Sequence, residues 1–229
     1  MEHHYYLLVE ILSGLGLGHF AHEAAHVIHS WLVMIILIVG ALLLVKGIQM
    51  IPRKGQNVIE VVIQSLENFM LEITGPEGKT FFPYIATIFF YILISNLIGL
   101  VPGFVSPTAN VNTTLSLALC TFVLTHAIGI KHHGAKYIKH FLGPMPILAP
   151  LMLVIELIGH LARVMSLTMR LFGNIFGKEK LLGILFGLAG LYLAPLPVLF
   201  LGILVSFIQA VVFMLLSIMY FAGAMEEAH

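Results

Sequence analysis

Six charged residues stand in one apolar stretch without proline, 151–190: Glu156, Arg163, Arg170, Lys178, Glu179 and Lys180. A charge held in lipid is costly, so it faces a cavity, a partner or a counter-charge and marks an ion path. Arg170 has the most telling surroundings. On a helix advancing about 100° per residue, Glu156, Arg163, Ser166 and Asn174 fall within about 40° of it, and Gly159, Gly173 and Gly177 within about 60°. That face is polar and narrow, so a neighbouring helix can approach the arginine closely, as small residues allow in lipid. Glu179 points the other way, near 180°. Glu156, Arg163 and Arg170 recur every seven residues, about 10 Å apart along one axis, too far for direct contact. Arg163 lies nearer the inner surface, where snorkelling to the interface competes with a role in transport.

The guanidinium suits one task. With a pKa above ~12 it keeps its charge and cannot relay protons. Fixed midway along an ion path, it blocks direct leakage from one side to the other. It also forces any carboxylate brought beside it to release its proton. His160, one turn after Glu156, adds an ionisable group beside an acid and is a further channel candidate.

Lipid is the solvent that composition implies. Of 229 residues, 59% are hydrophobic and 10% charged, and mean hydropathy is +1.03. A soluble domain of this size needs more surface charge, and one core could not bury this much apolar area. Zero net charge gives no general attraction to nucleic acid. A lone cysteine, Cys120, rules out an internal disulfide. The start of the chain, MEHHYYLLVE, lacks the positive region of a signal peptide.

The chain reads as one all-α integral membrane domain. An outer N-terminal segment covers 1–26, and spans are expected at 27–48, 84–101 and 111–130. The stretch 151–190 would reach roughly 60 Å as a helix, twice the hydrocarbon thickness, so it is expected to tilt strongly. The last span, 197–224, is also longer than a perpendicular crossing needs. Between the first two spans, 55–74 places Ile59, Val62, Ile63, Leu66, Phe69, Met70 and Ile73 on one stripe, with Glu60, Glu67 and Glu72 outside it. That is a helix for the membrane surface or a partner. Lys46, Arg53, Lys54, Lys79, Lys131, Lys136 and Lys139 all fall in two connections on one side. About five crossings then leave the N-terminus outside and the C-terminus in the cytoplasm.

Three segments are familiar. SLTMRLFGNIFGKE (166–179), PTANVNTTLSLAL (107–119) and FIQAVVFMLLSIMY (207–220) resemble subunit a of F-type ATP synthases, in order and spacing from about Trp31 onward. The resemblance implies a proton-translocating stator, with no site of ATP chemistry and no cofactor or metal of its own. Its partners would be a rotor ring of c subunits, the b subunits of the peripheral stalk, the remaining synthase subunits and a bacterial inner membrane. Arg170 matches the essential arginine facing the ring's carboxylates. Asn174, Glu179 and Gln209 match polar positions of the access path, Glu156 the acid ahead of the arginine, and Asn110 and Asn112 the outer end of the third span. Two offset half-channels follow, Glu179 serving the outer and Glu156 the inner. The family often carries His or Glu two turns before the last-helix glutamine, where this chain has Gly202.

Two other readings compete. His22-Glu23-Ala24-Ala25-His26 is a formal HExxH match, with His19 and His29 extending its face, and suggests an intramembrane zinc protease. A catalytic zinc also needs a third ligand, and the short motif lacks that context. A secondary ion transporter would show paired internal repeats, and none is evident here. The histidine motif lies outside the expected ion path. Replacing His22 and His26 together with alanine is therefore expected to leave ATP synthesis by the assembled complex unchanged. Loss of activity restored by added zinc would support the protease-like site instead.

Overall fold

The computed structural model describes residues 24–46, 54–134, 149–189 and 195–225. Six α-helices make up nearly all of this: α1 (Ala25–Lys46), α2 (Lys54–Thr74), α3 (Phe82–Ile98), α4 (Val111–His133), α5 (Ala149–Ala189) and α6 (Leu196–Met225). The described residues contain no strand. The fold is all-α, as composition requires. Short 3₁₀ turns, Pro76–Phe81 and Pro107–Ala109, lead into α3 and toward α4. His22 and Glu23 of the HExxH stretch lie outside the described residues, as does 135–148. Lys131 to His133, read above as loop, continue α4 as its last turn.

Local chemistry sets the helix ends. Pro83 opens α3 at a position where its missing N–H costs nothing. Asn110 caps α4, its Oδ1 accepting the Asn112 N–H at 2.9 Å. Gly134 closes α4 with φ +56°, and its N–H meets the Ile130 carbonyl at 2.8 Å. Only glycine adopts that backbone without strain.

Four helical segments are long and apolar enough to cross a bilayer: Ala25–Val45, Pro76–Ile98, Val111–His133 and Leu196–Met225. The helix α5 is longer, 41 residues, and carries six charged residues along its length. In α1 only 11% of the apolar window is buried, so nearly its whole surface, Trp31 included, is left for lipid or a partner.

The other helices pack around a shared core. α3 lies on α6, and α4 on both α5 and α6. Met70 of α2, Ile85 and Ile92 of α3, Leu171 and Ile175 of α5, and Met214 and Phe221 of α6 are almost fully enclosed. The C-terminal half of α2 thus docks on the bundle, while Val58 and Val61 stay exposed. Glu67 pairs with Lys79 at 3.2 Å, and Glu77 lies 3.6 Å from His132. These contacts gather the ends of α2, the first 3₁₀ turn and α4 at one pole. Hydroxyls inside the bundle turn back on their own helices: Thr125 donates to the Thr121 carbonyl and Thr168 to that of Val164, both at 2.8 Å. Lipid offers such groups no other partner.

Phe221, almost fully buried, joins two other rings, with those of Phe81 and Tyr84 each 5.9 Å away. Phe221→Ala is expected to cost about 3–5 kcal/mol through the cavity it leaves, seen as a lower thermal midpoint in detergent. Phe200→Ala, at a side chain 75% exposed, should leave the midpoint unchanged.

Candidate functional site

α5 carries the site, and its buried stripe sets the directions. Val164, Leu167, Leu171, Ile175, Lys178 and Leu182 are buried. Their mean direction lies roughly a quarter-turn from Arg170. Arg170 and Asn174 are therefore exposed at the bundle's edge. The guanidinium Nη2 donates to Ser166 Oγ at 3.4 Å. Around it the face is bare: a Cβ built on Gly159, Gly173 or Gly177 would meet nothing within 4 Å.

Lys178, one member of the buried stripe, is only 9% exposed. Its Nζ donates to the Asn96 carbonyl of α3 and to Ser206 Oγ of α6, both at 3.0 Å. Ser206 in turn donates to the Gly202 carbonyl at 2.7 Å. The Asn96 side chain faces two ways, accepting from Thr108 Oγ1 at 2.5 Å and donating to the Ser206 carbonyl at 3.4 Å. Ser106 Oγ lies 2.7 Å from Thr108 Oγ1 and 2.8 Å from the Ser95 carbonyl. Two hydroxyl protons thus serve three contacts, so donor and acceptor roles can exchange along the chain of oxygens. Next to this seam Glu179 Oε1 accepts the Ser106 backbone N–H at 2.5 Å.

Two glycines make the room. A Cβ on Gly99 would sit 2.8 Å from Glu179 Oε1, and one on Gly202 would sit 3.2 Å from Lys178 Cδ. The space over Gly202 is filled by the Leu100 side chain and the stem of Lys178. Sequence reasoning singled out Glu179 and Gly202 but treated Lys178 only as a flanking charge. The signal was present, since Lys178 continues the 3–4 spacing of Leu167, Leu171 and Ile175. Asn96, Ser95, Ser106, Thr108 and Ser206 carried no comparable mark.

The remaining candidates are dispersed. Gln209 is buried on α6, one turn past Ser206. Asn110 serves as the α4 cap and Asn112 is exposed beside it. At the opposite end of α5, His160 is buried with Nε2 3.3 Å from Glu156 Oε1. His126 of α4 lies next to it, ring centroids 4.7 Å apart. The structure therefore collects the polar residues into a seam around Lys178 and Glu179 and a cluster around Glu156 and His160, with Arg170 and Asn174 exposed between them.

Comparison with known proteins supplies the context for that arrangement. The family model for the ATP synthase A chain matches residues 27–222. The chain belongs to this family. It is 58% identical over 229 residues to ATP synthase subunit a of Desulfosudis oleivorans, covering 100% of both chains. It is 53% identical to ATP synthase subunit a of Syntrophobacter fumaroxidans, again covering 100% of both. Identity to ATP synthase subunit a of Citrifermentans bemidjiense is 53% over 220 residues, 96% of this chain and 95% of the relative. A chain of the ATP synthase A family is a membrane-sector component of the synthase, its proton-translocating stator subunit, and holds no site of ATP chemistry itself.

The shared space at Gly202 yields a specific expectation for this A chain. Gly202→Val is expected to cost about 1–3 kcal/mol by overpacking against Leu100 and Lys178, read as a lower thermal midpoint. Lys178→Ala in the same chain should recover much of that loss. Strictly additive losses would mean that the two positions do not compete for one space.

Proposed function

We propose that this subunit conducts protons through two half-channels that end on opposite sides of Arg170. One observation carries the reading. The outer seam around Lys178 and Glu179 and the inner cluster around Glu156 and His160 are separated, inside the bundle, by Val164, Leu167, Leu171 and Ile175. Among the described residues Thr168 is the polar group buried on that stretch of α5, and its hydroxyl is bound to its own helix. Along this buried face of α5, among the described residues, no free polar side chain links the two groups. A proton crosses by leaving the chain for a mobile carrier at the exposed face.

Arg170 stands on that face. Glu179 lies nine residues beyond it and Glu156 fourteen before it, about 13 Å and 21 Å along the axis. A carboxylate carried by a rotor ring of c subunits would be protonated from the outer half-channel and turn through the lipid. On returning it would give up its proton to the inner half-channel. Asn174 shares the exposed face, and the glycines around Arg170 let a ring helix come close. The guanidinium holds each passing carboxylate ionised and, never neutral itself, bars direct transfer between the half-channels. Gln209 extends the outer route inward, and Asn110 and Asn112 stand near its mouth.

Further parts of the reading rest on the sequence pattern. The exposed apolar surface of α1 and of the first half of α2 suits the b subunits of the peripheral stalk. The membrane is a bacterial inner membrane, crossed by α5 as well as the four apolar segments, with the N-terminus outside and the C-terminus cytoplasmic. That orientation follows the lysine and arginine bias.

Arg170→Lys is expected to abolish ATP synthesis although it keeps the formal charge. An ammonium is a point donor that can lose its proton when desolvated, and it lacks the planar fork that holds a moving carboxylate. Arg170→Ala should in addition let protons leak without coupling. ATP synthesis and passive leak are measured in vesicles after each complex is shown to assemble. Near-normal synthesis with Arg170→Lys would overturn the assignment.

A further inference from the structure

A narrow groove with room for about one water opens between α4, α5 and α6. His126, His160, Arg163 and Tyr220 line it, with Phe122 and Leu167 supplying apolar wall. His160 and Glu156 were candidates from sequence; His126, on a different helix, had no assigned part. The geometry gives it one.

We propose that His126 is a proton-relay residue of the inner half-channel, handing protons from the groove to His160 and on to Glu156; this rests on the half-channel reading above. A backbone carbonyl only accepts, so the 3.1 Å contact between His126 Nδ1 and the Phe122 carbonyl places the Nδ1 proton in that bond. The neutral ring then carries its lone pair on Nε2. Nε2 takes up a proton from the groove and releases the same proton, while Nδ1 keeps its own. His160 receives it across rings whose centroids are 4.7 Å apart, within reach directly or through one water.

The next step is also in place. His160 Nε2 faces Glu156 Oε1 at 3.3 Å, and the Glu156 side chain is 36% exposed against 9% for His160. The acid is thus the more exposed member of the pair, and in the relay it passes on one proton for each that His126 takes in. Charge in the groove is set by Arg163, whose Cζ lies 5.7 Å from the Tyr220 ring centroid. That cation cannot deprotonate, so it bounds the groove without joining the relay. The rival role for His126 is packing, since its ring also lies against Phe122, centroids 4.2 Å apart.

Chemical rescue separates the two roles. The complete ATP synthase, reconstituted in vesicles with its catalytic part outward, is assayed for ATP-driven proton pumping with imidazole added to the outer solution. His126→Ala is expected to lower pumping by about tenfold or more, given the size of typical positioned proton transfers. Added imidazole should restore a large part by occupying the vacated space. His126→Gln, which fills that space but does not titrate, is expected to pump slowly with or without imidazole. Wild-type pumping at His126→Gln, or an assembled His126→Ala complex that imidazole does not improve, would make His126 a packing residue and overturn the proposal. Arg170→Lys in the same vesicles keeps the two readings apart. If it stays inactive while the His126 variants pump normally, the relay falls and the half-channels stand. If it is active, the half-channel reading itself falls.

Discussion

A lysine ammonium that cannot reach water must be met by oxygen atoms, and around Lys178 that requirement organises one end of the bundle. Its two acceptors come from different helices, the Asn96 carbonyl on α3 and the Ser206 hydroxyl on α6. A carbonyl turned toward a cation is less available to its own helix, so the Asn96 site needs support from its neighbours. The side chain supplies it by reaching both Thr108 and the Ser206 carbonyl. Gly202 is bare because the lysine stem passes over it, and Gly99 because the Glu179 carboxylate approaches there. Each of these choices follows from one buried charge, since an ammonium left unmatched in a low-dielectric interior is strongly destabilising.

The same helix holds a second cation under the opposite condition. Arg170 is exposed, it donates to the Ser166 hydroxyl of its own helix, and a Cβ on the glycines beside it would meet no neighbouring atoms. Lys178 is matched within the subunit, whereas Arg170 keeps a face open to something outside it. The difference arises from an eight-residue separation, which turns the two side chains about 80° apart on an α-helix. One falls into the core stripe and the other at its edge. A single helix thereby carries a structural cation and an accessible one without a break in its backbone.

Between the seam at Lys178 and the cluster at His160 the buried face of α5 is apolar, Leu167, Leu171 and Ile175, apart from Thr168, whose hydroxyl is bound to its own helix. Low dielectric and close packing there exclude the waters that a proton wire needs. In the half-channel proposal, that apolar stretch is what directs the ion to the exposed face on which Arg170 stands.

Much of this was legible from residue types and spacing. Hydropathy alone marked four apolar spans, since lipid accepts only helices or closed barrels. The cost of burying charge singled out Arg170, Glu156 and Glu179, and the motifs around them carried the family resemblance. Helical geometry turned Glu179 away from Arg170, because one angle per residue suffices for that. The tertiary structure alone decided which side chains meet across helices. Asn96, Ser106, Thr108 and Ser206 are unremarkable polar residues in sequence, and His126 is one histidine among twelve. They become a seam and a cluster only when α3, α4, α5 and α6 pack, because hydrogen bonds between helices depend on interhelical register, which no single-helix periodicity contains. Lys178 is the instructive case. Its spacing placed it on the core face, but that a core-facing lysine is satisfied rather than expelled depended on two oxygens from partners 82 and 28 residues away.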